Sequence, residues 1–474
     1  MKLVVMKFGG TSVEDAVAIR RTAGIVRGRL ERGQQPIVIV SAMARVTDAL
    51  LTAAATAGRG DKATALANSA SLRVRHHQTA AELVPDAGAL APVTAFLDEH
   101  FDALDELLRG LAAVGELTPR TTDIVSSYGE RLSSRMVAAA FIALGLPAAH
   151  ADAREFIVTD NQHMKAVPNT ALIAERLRRH VLPLAQAGTI AVMGGFIGAT
   201  PEGVTTTLGR GGSDYSAALV GGGLHAEAIE IWTDVNGIMT TDPRICPDAL
   251  RVRSVSFEEA AELAYFGAKV LHPATILPAV EKNIPVLVLN SRNPQNEGTV
   301  ITALARPCAS PFKCIAAKKK LTIIDVVSNR MLMAHGFLKL VFDVFDRHKC
   351  SIDMVSTSEV SVSLTVDTTE QLPAIADDLR AFADVKYEGR KALICMVGED
   401  IRGHNGIAAQ VFSALRNINL RMISQGASEI NMSFMIEEED VEKAVRSLHA
   451  AFFTHPDPAV FDVEERAATQ TAGA

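Results

Sequence analysis

The chain has 474 residues, of which 48% are hydrophobic, 21% charged and only 5% aromatic, with a formal net charge of -7 at pH 7. At roughly 150 residues per domain, this is about three compact units, and the apolar content excludes a disordered chain or a small stapled module. The acidic balance and the scarcity of rings exclude a phosphate-neutralising or base-stacking nucleic-acid binder. The one cationic cluster, Lys318, Lys319 and Lys320 with Lys313 close by, reads as a solvated face.

A mean hydropathy of +0.18 raises the question of a membrane. The longest apolar run, residues 136–149, falls short of the roughly 18 residues a spanning helix needs, and Gly145 and Pro147 interrupt it. The first ten residues reach Lys7 too soon for the apolar stretch of a signal peptide. Cys246, Cys308, Cys314, Cys350 and Cys395 have no CxxC or metal-like spacing, so they read as reduced thiols of a cytoplasmic protein.

In chain order, short β-rich apolar runs fall at 4–5, 36–41, 189–193, 228–232 and 285–289, with long Ala/Leu/Arg segments of helical spacing between them. That alternation predicts a mainly parallel sheet covered by helices on both faces. Residues 50–120 read as helical throughout, an excursion from the sheet. A turn-rich passage, 290–298, is the clearest break. Beyond it the chain repeats at an offset of 70 residues: Gly336 matches Gly406, Val341-Phe342 matches Val411-Phe412, and Ser358-Glu359 matches Ser428-Glu429. Each copy reads strand, helix, two strands, helix, so two α+β modules follow one α/β domain.

Four stretches have residues suited to chemistry, and each can also be read as structure alone: an ordinary strand-to-helix turn, a structural glycine turn, a polar loop and an exposed lysine. In Met6-Lys7-Phe8-Gly9-Gly10-Thr11-Ser12 a buried strand ends in a lysine, two glycines let backbone N–H groups approach a phosphate, and Ser or Thr can cap the next helix. In Thr207-Leu208-Gly209-Arg210-Gly211-Gly212-Ser213-Asp214 a helix N-terminus offers an arginine for a carboxylate and an acid for an ammonium. Trp232-Thr233-Asp234 through Arg244 follows a central strand, where ligands of open α/β sheets sit. Phe266-Gly267-Ala268-Lys269 sets a lysine beside a glycine turn, and His272 reads as a core histidine. Glu130 follows Gly129 in what reads as a helix start, where a dipole alone would favour an acid. No metal-ligand constellation is legible.

In this order, Lys7-Phe-Gly-Gly-Thr-Ser-Val, Gly129-Glu130, Thr207 to Asp214, Trp232-Thr-Asp-Val, Thr240-Thr-Asp-Pro-Arg244 and Phe266-Gly-Ala-Lys-Val-Leu-His-Pro resemble the motifs of aspartate kinases over residues 3 to 455. The resemblance is to the monofunctional lysine-sensitive type, the length leaving no room for a fused homoserine dehydrogenase. It implies an amino-acid-kinase αβα sandwich (1–300), a first ACT domain (320–390), a second formed by 312–319 with 391–465, and a disordered tail at 466–474. It also implies MgATP-dependent phosphorylation of the β-carboxylate of L-aspartate, the first step of lysine, threonine and methionine biosynthesis, by a cytoplasmic dimer or tetramer associated through its ACT domains.

Residue by residue, the resemblance implies that Lys7, Gly9 and Gly10 hold the transferring phosphoryl group. Ser41, Thr47, Glu130, Arg210, Gly211, Gly212, Ser213 and Asp214 would surround aspartate. Thr233, Asp234, Met239, Arg244, Lys269 and Val270 would contact ATP. Met331, Phe337, Leu338, Ser351, Ile352, Asp353, Thr357, Ser358 and Glu359 would form an inhibitory lysine site, with Asp353 facing the ε-ammonium. The second copy has Ile423 and Ala427 where the first has Asp353 and Thr357, so only the first keeps a carboxylate and hydroxyl for a cation.

Three positions depart from the pattern: Met239 for an aromatic residue, Asn236 for a proline that would restrain its loop, and Ala334 for a serine in the effector site. Other readings of the chain are another amino-acid kinase, such as a glutamate or acetylglutamate kinase, or a catalytically inactive amino-acid sensor. The intact Lys7, Glu130 and Arg210 speak against the sensor.

Overall fold

In the computed structural model, which describes residues 1–266, 275–306, 308, 310–328, 335–367 and 369–463, the strand Lys2–Phe8 is apolar enough to be buried on both faces and becomes the middle of a sheet. It pairs in parallel with Gln34–Val40 on one side and Ala228–Thr233 on the other. The full order is Ala148–His150, Ile190–Gly194, Gln34–Val40, Lys2–Phe8, Ala228–Thr233, Val286–Asn290, Thr299–Thr302 and Ser254–Ser256. All five predicted strands are present. The passage 290–298 does not leave this sheet: it reverses the chain, so that Thr299–Thr302 runs antiparallel to Val286–Asn290.

These strands belong to the first of two units, Met1–Ile238 with Ser254–Phe257 and Val270–Ala305. One apolar cluster joins Val4, Met6, Phe8 and Val38 to the helix residues Ile19, Val26, Val137 and Phe141. The predicted helical excursion forms its own cluster. There the helix Ala87–Val114 buries Val93, Leu97, Phe101, Leu104, Leu108 and Leu111, a three-and-four spacing that puts them on one face. Each such side chain contributes about 1.5–3 kcal/mol by burial.

The second unit comprises Met239–Arg253, Glu258–Lys269 and Arg306–Ala474. Its sheet runs Met354–Thr357, Ser361–Val366, Cys314–Val327, Asp384–Val397, Asn431–Glu437, Met422–Gln425, antiparallel throughout. The 70-residue repeat is visible in the helices Phe337–Arg347 and Ile407–Ala414 and in the two long central strands. Cys314 through Lys318 pairs with the Val397 end of Asp384–Val397, while Thr322 through Val327 pairs with Ser361–Val366.

The lysine cluster is not a uniformly solvated face. Lys319 and Lys320 are exposed, but Lys313 is buried with Nζ 2.9 Å from Glu259 Oε1, and Lys318 is held against Asp353. Glu259 and Asp353 supply buried counter-charges that composition cannot reveal. Among the described residues no helix is long and apolar enough to cross a membrane. Lys269, Val270, His272, Met331, Ala334 and the tail 466–474 lie outside the described residues.

Candidate active site

Parallel strands end together, so the loops after Lys2–Phe8, Gln34–Val40 and Ile190–Gly194 converge at one edge of the sheet. There they meet the start of helix Gly212–Leu224 and the middle of helix Pro119–Ala143. A cleft of about 400 Å³ lies between them, lined by Lys7, Gly10, Ser41, Thr47, Glu130, Gly211, Gly212, Ser213 and Asp214 among others. Sequence motifs as far apart as Lys7 and Asp214 are thus brought to one place. Gly9 and Arg210 do not line the cleft, and Arg210 is exposed.

Lys7 Nζ lies 2.7 Å from Asp214 Oδ1, both side chains nearly buried. Gly9 does not offer its N–H to a ligand as the sequence suggested, because it donates to Trp232 O at 3.0 Å. A Cβ there would meet Trp232 O at 3.6 Å and Lys7 Nζ at 3.7 Å, ordinary contact distances, so nothing steric requires glycine at this position. Gly10 packs so closely on the next loop that a Cβ would come 3.0 Å from Ala42 O. The helix cap also differs from expectation. Ser12 bonds Ser291 Oγ at 2.8 Å, and Asp15 caps helix Ala16–Glu31 by accepting from Ala18 N.

Glu130 is not at a helix start. It sits in the interior of Pro119–Ala143, 3% exposed, so the helix dipole does not account for it. Oε1 accepts from Ala42 N at 3.1 Å, while Oε2 is buried with no hydrogen-bond partner. Burial pushes its carboxyl up to about 8, against the opposing Ala42 N–H and the Lys7 charge. A half-satisfied buried acid facing a cleft is a seat for a cation. Ser41 Oγ donates to Ser213 Oγ at 3.0 Å, both residues on the cleft lining.

Two contributors were not singled out from sequence. Gly194-Gly195 follows a buried strand just as Gly9-Gly10 does, so the signal was available. A Cβ on Gly194 would meet Glu130 Cβ at 3.0 Å, and one on Gly195 would meet Ser213 Cβ at 2.7 Å. The other is Asp123, buried in the same helix as Glu130. Its carboxylate accepts from Met164 N at 3.0 Å and Thr207 Oγ1 at 2.6 Å, and His163 Nδ1 lies 2.7 Å away. Met164, at φ +68, in turn presses its carbonyl on Gly209.

Asp123 therefore fixes both sides of the loop that leads to Asp214. An asparagine offers one acceptor oxygen where donors converge on two, leaving at least one unmet at about 1–3 kcal/mol. Asp123→Asn is expected to raise KM for the amino-acid substrate about tenfold and to leave KM for nucleotide unchanged, as steady-state kinetics would read.

The residues expected at the nucleotide are divided between the units. Thr233 and Asp234 end the strand Ala228–Thr233 in the first; Met239 and Arg244 belong to the second, where Arg244 is exposed and bidentate to Asp242. Asn236 restrains its loop after all, accepting from Asn290 Nδ2 at 2.7 Å. Of the effector residues, Phe337 is buried on helix Phe337–Arg347, Leu338 beside it is exposed, and Ser351, Thr357, Ser358 and Glu359 are exposed. Ile352 is half-buried, and the Asp353 side chain is 4% exposed.

Residues 2–290 match the amino acid kinase family, and residues 394–452 match an ACT domain. The chain belongs to the amino acid kinase family. It is 37% identical over 463 residues to the lysine-sensitive aspartokinase 3 of Escherichia coli K12, covering 95% of this chain and 99% of that one. It is 36% identical over 481 residues to the chloroplastic aspartokinase 2 of Arabidopsis thaliana, covering 95% and 84%. The crystal structure of E. coli aspartokinase III with aspartate and ADP (R-state) superposes with a TM-score of 0.84 at 36% identity, covering 95% of this chain and all of that one. The same enzyme with lysine and aspartate (T-state) gives 0.79 at 35% identity, covering 96% of this chain and all of that one. Within its family the chain is an aspartokinase, an enzyme that phosphorylates L-aspartate at the expense of ATP.

Proposed function

We propose that the cleft is the aspartate site and that Lys7 acts on the phosphoryl group in flight. The observation that carries this reading is the buried, half-satisfied Glu130 carboxylate in the same cleft as the Lys7–Asp214 pair. Glu130 takes the α-ammonium, with Ser41, Thr47 and Ser213 around the substrate. Arg210, on the loop between Gly209 and Gly211, meets a substrate carboxylate. The β-carboxylate oxygen attacks the γ-phosphorus of ATP, a P–O bond forms as the β,γ-bridging P–O bond breaks, and ADP leaves with the electron pair. The nucleophile is already an anion, so no proton is removed.

What the protein supplies is position and positive potential for two anions brought together. Lys7 and the Gly10 backbone provide it at the phosphoryl; Thr233, Asp234, Met239, Arg244, Lys269 and Val270 hold the nucleotide. Among the described residues no three His, Cys, Asp or Glu side chains form a metal cage. Mg²⁺ would come with the ATP phosphates, Asp214 would be the carboxylate beside it, and it would supply neutralisation of phosphate charge. Residues 1–300 form the catalytic domain, 320–390 the first ACT domain, and 312–319 with 391–465 the second. Lysine inhibits through Asp353 and its neighbours, and ACT domains join the subunits. An effector must bind the less active state better than the active one. Aspartate-dependent ADP release assayed with lysine, threonine and methionine tests this: inhibition by lysine alone is expected, and none by lysine would refute the effector assignment.

The Glu130 assignment makes a pH prediction. Its folded pKa of about 8 lies above the ordinary 4.5, so the unfolded chain releases the proton first. Its contribution to stability is complete below 4.5 and disappears as pH rises toward 8. Ligand-free melting should therefore fall across that interval more steeply in the wild type than in Glu130→Gln. Over the same interval aspartate affinity should rise in the wild type, because the ionised carboxylate binds the ammonium. Glu130→Gln should show weaker binding without that rise, and parallel pH profiles would remove the role.

A further inference from the structure

The carboxylate assigned to the effector is already engaged. Lys318 Nζ lies 2.7 Å from Asp353 Oδ1, and the Tyr265 hydroxyl donates to the same oxygen at 3.2 Å. Asp353 Oδ2 is buried and accepts no hydrogen bond. Lys318 also lies 3.1 Å from Asp367, whose side chain is 46% exposed, and its ammonium stands 5.5 Å from the centre of the Tyr265 ring. Two carboxylates and a ring face thus seat a primary ammonium on a flexible four-carbon stem. This is the chemistry that would recognise the side chain of free lysine, and the chain's own lysine fills it.

We propose that Lys318 is a tethered competitor for the effector: free lysine binds by displacing the Lys318 ammonium from Asp353, and Lys318 moves onto Asp367. The inference rests on the reading of Asp353 as the effector carboxylate. The exchange keeps an ammonium against the buried carboxylate throughout, so no buried charge is left unpaired. The displaced ammonium remains paired at a solvent-facing acid. Burial would depress the Lys318 pKa, but the hydrogen bonds and charges of Asp353 and Asp367 overcome it and hold the amine protonated. Two cations therefore compete for one seat, and effector affinity is reduced by the fraction of time Lys318 holds it. At the 70-residue offset Lys318, Asp353 and Asp367 correspond to Glu388, Ile423 and Glu437; Glu388 and Glu437 hold Lys391 between them, at 3.1 and 2.7 Å, but with isoleucine at 423 there is no carboxylate there for an effector to take over.

Calorimetric titration of lysine into the full chain tests the exchange. If Lys318 holds the seat about nine-tenths of the time, Lys318→Met binds lysine about tenfold more tightly than the wild type. Lys319→Met, which removes the same charge from an exposed neighbour, leaves binding unchanged. Asp367→Asn deprives the displaced ammonium of its landing place and weakens binding several-fold. Asp353→Asn abolishes it. Lysine binding that is lost in Asp353→Asn but unchanged or weaker in Lys318→Met would overturn the competition while leaving the effector assignment intact. Absence of lysine binding by both the wild type and Lys318→Met would overturn the assignment, and the exchange with it. Should Lys318→Met fail to fold, Asp367→Asn decides alone: unchanged or tighter binding refutes the exchange.

Discussion

Lys7→Met is expected to lower kcat by on the order of 10²- to 10³-fold, the usual consequence of removing one preorganised donor from a developing charge, and to change KM for aspartate little. Methionine keeps most of the lysine stem, so the loss is chiefly one of charge. The substitution also leaves Asp214, nearly buried, without its cation 2.7 Å away. Destabilisation from an unpaired carboxylate is the competing explanation for lost activity. Assaying well below the variant's melting temperature separates the two. If Lys7 mattered only as the partner of Asp214, the fully folded variant would turn over near the wild-type rate; with Lys7 acting on the phosphoryl group, kcat stays low although the enzyme is folded.

The second large effect is expected at Gly195. A methyl group added there would sit 2.7 Å from Ser213 Cβ and 2.8 Å from Ser213 Cα. Backbone must move, because Gly195 N–H is fixed to Val40 O at 2.8 Å and the clash is not with a flexible side-chain tip. Overpacking of this kind costs about 1–3 kcal/mol in stability. Displacing the first residues of helix Gly212–Leu224 shifts Ser213 and Asp214 together, and a misplacement near 1 Å costs roughly 10²-fold. Gly195→Ala should therefore lower kcat/KM for aspartate by about that factor. Gly24→Ala is the control: it lies in helix Ala16–Glu31 with nothing within 4 Å of the added Cβ. It should be neutral or stabilise by up to about 1 kcal/mol.

The contrast between these residues shows what sequence can carry. The five core strands were legible because a strand buried on both faces must be a continuous apolar run. The duplication was legible because its period is regular. Lys7 and the Gly209 to Asp214 loop were legible because glycines beside charged residues have few structural uses. Asp123 was not, since Thr121, Thr122, Ser126 and Ser127 around it read as a polar stripe, and its three partners come from 40, 41 and 84 residues away. Glu130 was noticed but explained by the wrong physics, because only the tertiary structure shows that a mid-helix acid is buried. Gly9 and Lys318 share a different difficulty: one reads as part of a phosphate cradle and the other as a solvated charge, and in the fold each meets a partner from the same chain. Sequence reports what a group can do, whereas packing decides what it is already doing.

The most direct test of the assignment of this cleft to aspartyl phosphorylation is capture of the product. An acyl phosphate reacts with hydroxylamine to give a hydroxamate, so the purified chain, ATP, Mg²⁺ and L-aspartate should yield aspartyl hydroxamate in step with ADP. Glutamate or N-acetylglutamate should yield none, and Lys7→Met should form product on the order of 10²-fold more slowly or worse. ADP formation without aspartyl hydroxamate, or a Lys7→Met enzyme that makes it at the wild-type rate, would contradict the account.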